Sequence, residues 1–125
     1  MNGVAGVTAR RPTVLAIEDD RHVLAVIKAH LIAAGYRVLE ATDGESGLLL
    51  ARSGEVDLIT LDVLMAPLSG RDVLAGLRAD AATHAIPVVL VTVVDHSRDL
   101  RADGYVSKPF RGRRLIEEIR RLLPA

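Results

Sequence analysis

The sequence predicts an open, doubly wound α/β domain, with parallel strands covered by helices on both faces. Three observations carry this. Short strand-length segments recur five times along the chain, and the first, third and fourth are near-continuous apolar runs, the mark of strands buried on both sides. Segments with apolar residues at helical spacing separate them. A chain of 125 residues is too short for an eightfold barrel, which needs about 250. One domain is expected, with residues 1–12 a loose leader and residues 13–125 the folded unit.

The elements follow in order. Thr13 to Ile17 is an apolar run of strand length that ends in Glu18-Asp19-Asp20. A helix follows, with Val23, Leu24, Ile27 and Leu31 on one face and Gly35 as its stop. Tyr36 to Glu40 is the second strand, and Asp43-Gly44 opens a helix that runs through Leu48 to Arg52. Leu58 to Leu61 is the third strand and ends at Asp62. A loop with Pro67 and Gly70 leads to a helix carrying Val73, Leu74 and Leu77. Pro87 introduces the most apolar strand, Val88 to Val91, which ends at Thr92. Tyr105 to Ser107 is a short fifth strand before Lys108-Pro109, and the last helix starts near Arg111, with Leu115, Ile116, Ile119, Leu122 and Leu123 on one face. Between Val94 and Gly104 lie only nine residues, whereas a parallel crossover usually takes a dozen or more. The fourth helix, within His96 to Arg101, is therefore expected to be shortened or missing.

Composition narrows the function. Sixteen Lys and Arg balance sixteen Asp and Glu, which argues against a basic footprint for nucleic acid or an anionic membrane. The absence of cysteine removes disulfides, thiolate zinc sites and cysteine nucleophiles together. No apolar run approaches the ~18 residues of a membrane span, and no signal peptide is evident. A cytoplasmic protein is the expectation. The four histidines share no spacing and read as surface residues. The arginines of the last helix (Arg111, Arg113, Arg114, Arg120 and Arg121) read as a solvated face opposite its apolar stripe.

In open α/β sheets the functional crevice lies beyond the carboxyl ends of the strands. Here those ends carry Glu18, Asp19 and Asp20, then Asp62, then Thr92, with Lys108 just past the fifth. Two like charges about 4 Å apart repel by roughly 4 kcal/mol at an effective dielectric near 20, so clustered carboxylates need raised pKa values or a counter-ion. Oxygen ligands without nearby His or Cys suit Mg²⁺. A carboxylate can also accept a phosphoryl group, whose spread charge then needs a metal, an ammonium and a hydroxyl donor. Asp62 as acceptor, Glu18 and Asp19 for Mg²⁺, and Lys108 and Thr92 as donors meet that list. Lys108 stands out further because the chain has only one other lysine, Lys28.

These motifs make the sequence resemble the receiver domains of bacterial two-component response regulators, across Thr13 to Leu123. Glu18-Asp19-Asp20, Asp62 to Met65 with Gly70, Pro87 to Thr92, and Gly104 to Phe110 carry the likeness, with Gly35-Tyr36 and Asp43-Gly44 in support. The resemblance implies a flavodoxin-like fold with strand order 2-1-3-4-5. It implies transfer of a phosphoryl group from a histidine kinase or phosphotransfer domain onto Asp62, altering a surface read by a downstream protein. It implies Mg²⁺, or Mn²⁺, held by Glu18, Asp19, Asp62 and the Leu64 backbone carbonyl. Thr92 and Tyr105 take the paired switch positions, and Lys108 takes the phosphate-contacting one. Such a protein phosphorylates and slowly dephosphorylates itself and is no metabolic enzyme. Direct contact with nucleic acid or membrane is not expected.

Several residues depart from the family's pattern. Ala66 stands where proline is usual, with Pro67 one residue later, and Val93 follows Thr92 where a very small residue is usual. Leu64 and Val94 offer no polar group to orient a hydrolytic water, so slow loss of the phosphoryl group is expected. Because the short fourth crossover removes part of the usual signalling face, any homodimer is expected to use an atypical one. The alternative reading is a degenerate receiver that binds proteins independently of phosphorylation. A metal-dependent phosphatase is disfavoured because it would want a second acid where Leu64 stands.

Overall fold

In the computed structural model, residues 11–95 and 101–123 are described. The chain alternates strands and helices: β1 (Thr13–Ile17), α1 (Arg21–Ala33), β2 (Arg37–Ala41), α2 (Gly44–Ala51), β3 (Leu58–Leu61), α3 (Gly70–Ala79), β4 (Val88–Thr92), β5 (Gly104–Ser107) and α4 (Gly112–Leu122). The five strands form one parallel sheet in the order β2-β1-β3-β4-β5. This is the doubly wound, flavodoxin-like arrangement expected from the sequence. The strands fall within a residue or so of their expected places. β2 starts one residue later than predicted, at Arg37, because Tyr36 turns into the core beneath α1.

Alternation along the strands sorts the apolar residues into two layers. Leu15, Ile17, Ile59, Leu61, Val88 and Leu90 face α2 and α3. Val14, Ala16, Leu58, Val89, Val91 and Val106 face α1 and α4, where Leu24, Ile27, Leu31, Leu115 and Ile119 meet them. Aliphatic residues build both layers, as the scarcity of aromatics required.

Local chemistry starts and stops the helices. Asp20 caps α1 by accepting from the His22 and Val23 amides at 2.9 and 3.2 Å. Asp43 caps α2 through the Ser46 amide, and Ser69 with Asp72 forms a reciprocal capping box on α3. Gly35 ends the α1 turn at a φ of 96°, a conformation that costs glycine little. At the lower end of the sheet Arg78 acts as a bolt. Its guanidinium donates to the Arg101, His84 and Ile86 carbonyls and to the Asp103 carboxylate, at 2.7 to 3.1 Å. Asp103 in turn accepts from the Val88 amide at 2.8 Å, so the entrances to β4 and β5 are fixed together.

Among the described residues, four helices are present and none lies between β4 and β5. The helix expected to be short or missing falls mainly on residues 96–100, outside the described residues. Among the described residues no helix is long and apolar enough to cross a membrane.

Candidate functional site

The upper ends of β1, β3 and β5 bring the predicted polar residues together. Glu18 follows β1, Asp62 follows β3, and the two strands are neighbours in register from Val14 with Leu58 to Ile17 with Leu61. Ligand oxygens of Glu18, Asp19 and Asp62 all lie within 4.8 Å of one another. Glu18 is buried, Asp62 is 6% exposed and Asp19 opens to solvent. Lys108, two strands away beyond β5, closes the group. Its Nζ donates to Glu18 Oε1 at 2.6 Å and to Asp62 Oδ2 at 3.3 Å. The Lys108 side chain is only 14% exposed, so it is a component of the site rather than a solvated side chain.

Backbone amides orient the carboxylates. Asp62 Oδ1 accepts from the Leu64 amide at 3.2 Å, and Glu18 Oε2 accepts from the Asp20 amide at 3.1 Å. The loop that carries Asp62 is closed from below by Gly70, whose amide donates to the Val63 carbonyl at 2.8 Å. A Cβ at this position would lie 2.2 Å from the Asp62 carbonyl oxygen, so no larger residue fits without displacing the acceptor strand end.

The electrostatics carry the strain expected of grouped carboxylates. Burial pushes the Glu18 carboxyl up to about 7, against the pull of the Lys108 hydrogen bond, and the neighbouring Asp62 charge adds to the rise. Lys108 is raised as well, for a different reason: burial would lower it, but the hydrogen bond and charge of Glu18 and the charge of Asp62 outweigh burial. One ammonium holds the site together yet does not fully repay three clustered acids. Oxygen donors with surplus negative charge and no nitrogen or sulfur ligand among them fit Mg²⁺ or Mn²⁺.

Thr92 and Tyr105 meet at a third residue. Thr92 is fully buried, and its Oγ1 accepts from the Val94 amide at 3.3 Å. The Tyr105 hydroxyl donates to the Val94 carbonyl at 3.2 Å. Both predicted switch positions are thus committed to one turn above β4. Val93 and Leu64 are exposed, at 62% and 56%. His22 and His84 are exposed, while His30 is half-buried and stands against Gly112. Sequence reasoning missed the work of the α4 arginines. Arg114 and Arg121 do not form a merely solvated face, because they reach the backbone carbonyls of Tyr105 in β5 and of Asp103 just before it. The i,i+4 spacing of Arg114 and Glu118 was a visible signal of pairing, but nothing in the spacing points to β5.

The sequence matches the response regulator receiver domain family over residues 14–120, and the chain belongs to that family. It is 39% identical over 116 residues to the transcriptional regulatory protein CpxR of Klebsiella pneumoniae subsp. pneumoniae (strain HS11286), a match covering 88% of this chain and 48% of that protein. It is 35% identical over 118 residues to the DNA-binding dual master transcriptional regulator RpaA of Synechocystis sp., covering 90% of this chain and 49% of that one. The chain therefore spans about half the length of the curated relatives it matches. Among solved structures, the receiver domain of the sensor histidine kinase PA1611 from Pseudomonas aeruginosa PAO1 superposes with a TM-score of 0.82 at 26% identity, covering 93% of this chain and 100% of that one. That structure has a magnesium ion coordinated in its active site cleft. The chemotaxis protein CheY4 of Vibrio cholerae superposes with a TM-score of 0.83 at 25% identity, covering 90% and 99% of the two chains.

Proposed function

We propose that this receiver domain is a phosphoacceptor that takes a phosphoryl group onto Asp62 from a histidine kinase or phosphotransfer domain. The observation that carries the reading is the Glu18, Asp19 and Asp62 cluster held within 4.8 Å and bridged by Lys108. In the transfer, an Asp62 carboxylate oxygen forms the new bond to phosphorus as the donor's nitrogen–phosphorus bond breaks. Oδ2 already faces Lys108, whose ammonium is placed to meet the phosphoryl oxygens as they gather charge. The Leu64 amide on Oδ1 keeps the carboxylate from turning away. Glu18, Asp19, Asp62 and the Leu64 carbonyl would hold Mg²⁺ or Mn²⁺, which when bound supplies neutralising charge for the phosphoryl group. Thr92 Oγ1 accepts from the Val94 amide and keeps its own proton to donate to a phosphoryl oxygen; a shift toward that oxygen would stretch the Val94 bond and loosen the turn that Tyr105 also holds. That exchange is the route by which the surface around β4 and β5 would change for a downstream protein.

A protein donor is supported by the outer face of α1, which begins beside the pocket at Asp20. Ala25, Val26, Ala29, Ile32 and Ala33 are all exposed there, with Val26 at 49% and Ile32 at 54%. Polar residues would be the ordinary choice for such a face. Leu64 and Val94 leave a hydrolytic water without a partner, so the phosphoryl group is lost slowly. The full set of acids with Lys108 speaks against the phosphorylation-independent reading. No activity on metabolites and no direct nucleic-acid contact are proposed for the domain.

The test is incubation with acetyl phosphate and Mg²⁺, followed by intact-mass measurement. One phosphoryl group is expected on the wild type and none on Asp62→Asn or in the presence of EDTA. An unmodified wild type would overturn the reading, and loss of the group within seconds would overturn its slow hydrolysis.

A further inference from the structure

β5 is an outer strand of the sheet, so one row of its backbone groups has no strand to pair with. The Lys108 amide donates to the Thr92 carbonyl, which turns the alternate residue Tyr105 away from β4. Side chains of α4 occupy these outward groups. The Tyr105 amide donates to Glu118 Oε2 at 3.2 Å. Arg114 Nη2 donates to the Tyr105 carbonyl at 2.9 Å, and Arg121 Nη2 donates to the Asp103 carbonyl at 2.8 Å. The same two arginines grip Glu118, at 3.1 Å from Arg114 and 2.9 Å from Arg121. The peptide groups on both sides of the Tyr105 α-carbon are therefore held from α4, and its phenol is held by Val94.

Gly104 fits this arrangement closely. A Cβ there would stand 2.5 Å from Glu118 Oε2 and 3.1 Å from its Cγ, so the carboxylate lies on β5 only because residue 104 has no side chain.

We infer that Arg114, Glu118 and Arg121 form a clamp that positions Tyr105, and through its phenol the Val94 turn beside Thr92; for its effect on phosphorylation this rests on the phosphoacceptor reading of Asp62. Hydrogen bonds run without a gap from α4 to the buried threonine: Glu118 to the Tyr105 amide, the Tyr105 hydroxyl to the Val94 carbonyl, and the Val94 amide to Thr92 Oγ1. Any movement of Thr92 toward a phosphoryl oxygen is then felt on the outer face of α4. The reverse also holds, because coupling between two sites is reciprocal.

The test uses the full chain with four substitutions. Glu118→Ala removes the acceptor. Gly104→Ala displaces it without changing a charge. Glu118→Gln keeps a side-chain carbonyl, and Glu117→Ala removes the adjacent carboxylate, which pairs with Arg113 and touches nothing in β5 among the contacts above. Exchange of the Tyr105 amide is expected to quicken about tenfold or more in the first two. It should stay nearer the wild type in Glu118→Gln and unchanged in Glu117→Ala, with the buried Val89 amide as the control for intact folding. The Tyr105 ring resonances should move, and the rate of Asp62 phosphorylation by acetyl phosphate should change about threefold or more, in the same two variants only. Unchanged Tyr105 exchange in both overturns the clamp. So does a loosened Tyr105 with unmoved ring resonances. A wild type that takes up no phosphate overturns the phosphoacceptor reading alone, and Tyr105 exchange with the ring resonances still decides the clamp.

Discussion

Lowering the pH from 8 to 6 should weaken Mg²⁺ binding about tenfold, through Glu18. A cation needs this carboxylate ionised, and burial raises its pKa to about 7. The apparent dissociation constant then rises by a factor of 1 + 10^(pKa − pH), which is about 1.1 at pH 8 and about 11 at pH 6. The difference corresponds to about 1.4 kcal/mol. Calorimetric titration with MgCl₂ at the two pH values measures it directly, and Glu18→Gln should bind weakly with the pH dependence gone. The metal-free protein should show the matching effect on stability. The folded protein holds the Glu18 proton up to about 7, while the unfolded chain releases it near 4.5. The contribution from Glu18 is therefore complete below about pH 4.5 and is lost as pH rises to 7, on the order of 3 kcal/mol in all. Mg²⁺ should restore stability at the alkaline end. Equal affinity at pH 6 and 8, or a tenfold pH effect that survives in Glu18→Gln, would refute the reasoning.

Three further outcomes follow from packing. Gly70→Ala should cost about 3 kcal/mol or more in urea denaturation, because the added Cβ meets backbone that cannot move aside without shifting Asp62. A loss under 1 kcal/mol would mean that this loop yields easily. Thr60→Val should stabilise the protein by about 1 kcal/mol and raise Tm by a few degrees, since the buried Thr60 hydroxyl has no hydrogen-bond partner among the described residues and valine keeps its shape. A lower Tm would reveal a partner for that hydroxyl. Arg78→Ala should cost about 2–3 kcal/mol and speed amide exchange around Asp103, because its guanidinium ties three carbonyls and one carboxylate together. Loss of stability without faster exchange at Asp103 would place the effect elsewhere.

The amino-acid sequence alone determined the architecture and the members of the central site. Continuous apolar strands of β-branched and aliphatic residues can be satisfied only by a sheet covered on both faces, and the acids fall at strand ends because that is where the chain leaves the core. Asp43 announced a helix start through a side chain that reaches an amide three residues ahead, a local event visible in local sequence, and Asp20 and Ser69 cap their helices by the same local chemistry. What only tertiary structure decided are the contacts between residues far apart in the chain. Lys108 and Glu18 are 90 residues apart, and their 2.6 Å contact exists because β5 and β1 end at the same edge of one sheet. Whether a lone lysine before a proline is solvated or buried depends on that convergence, and so does the direction in which Glu18 titrates. The arginines of α4 teach the same lesson. Read along the helix they are a polar face, yet in the fold Arg114 reaches the Tyr105 carbonyl on the open edge of β5 and Arg121 the Asp103 carbonyl just before that strand. Which backbone groups a strand leaves unpaired is set by the order of strands in the sheet, and that order is a property of the whole chain.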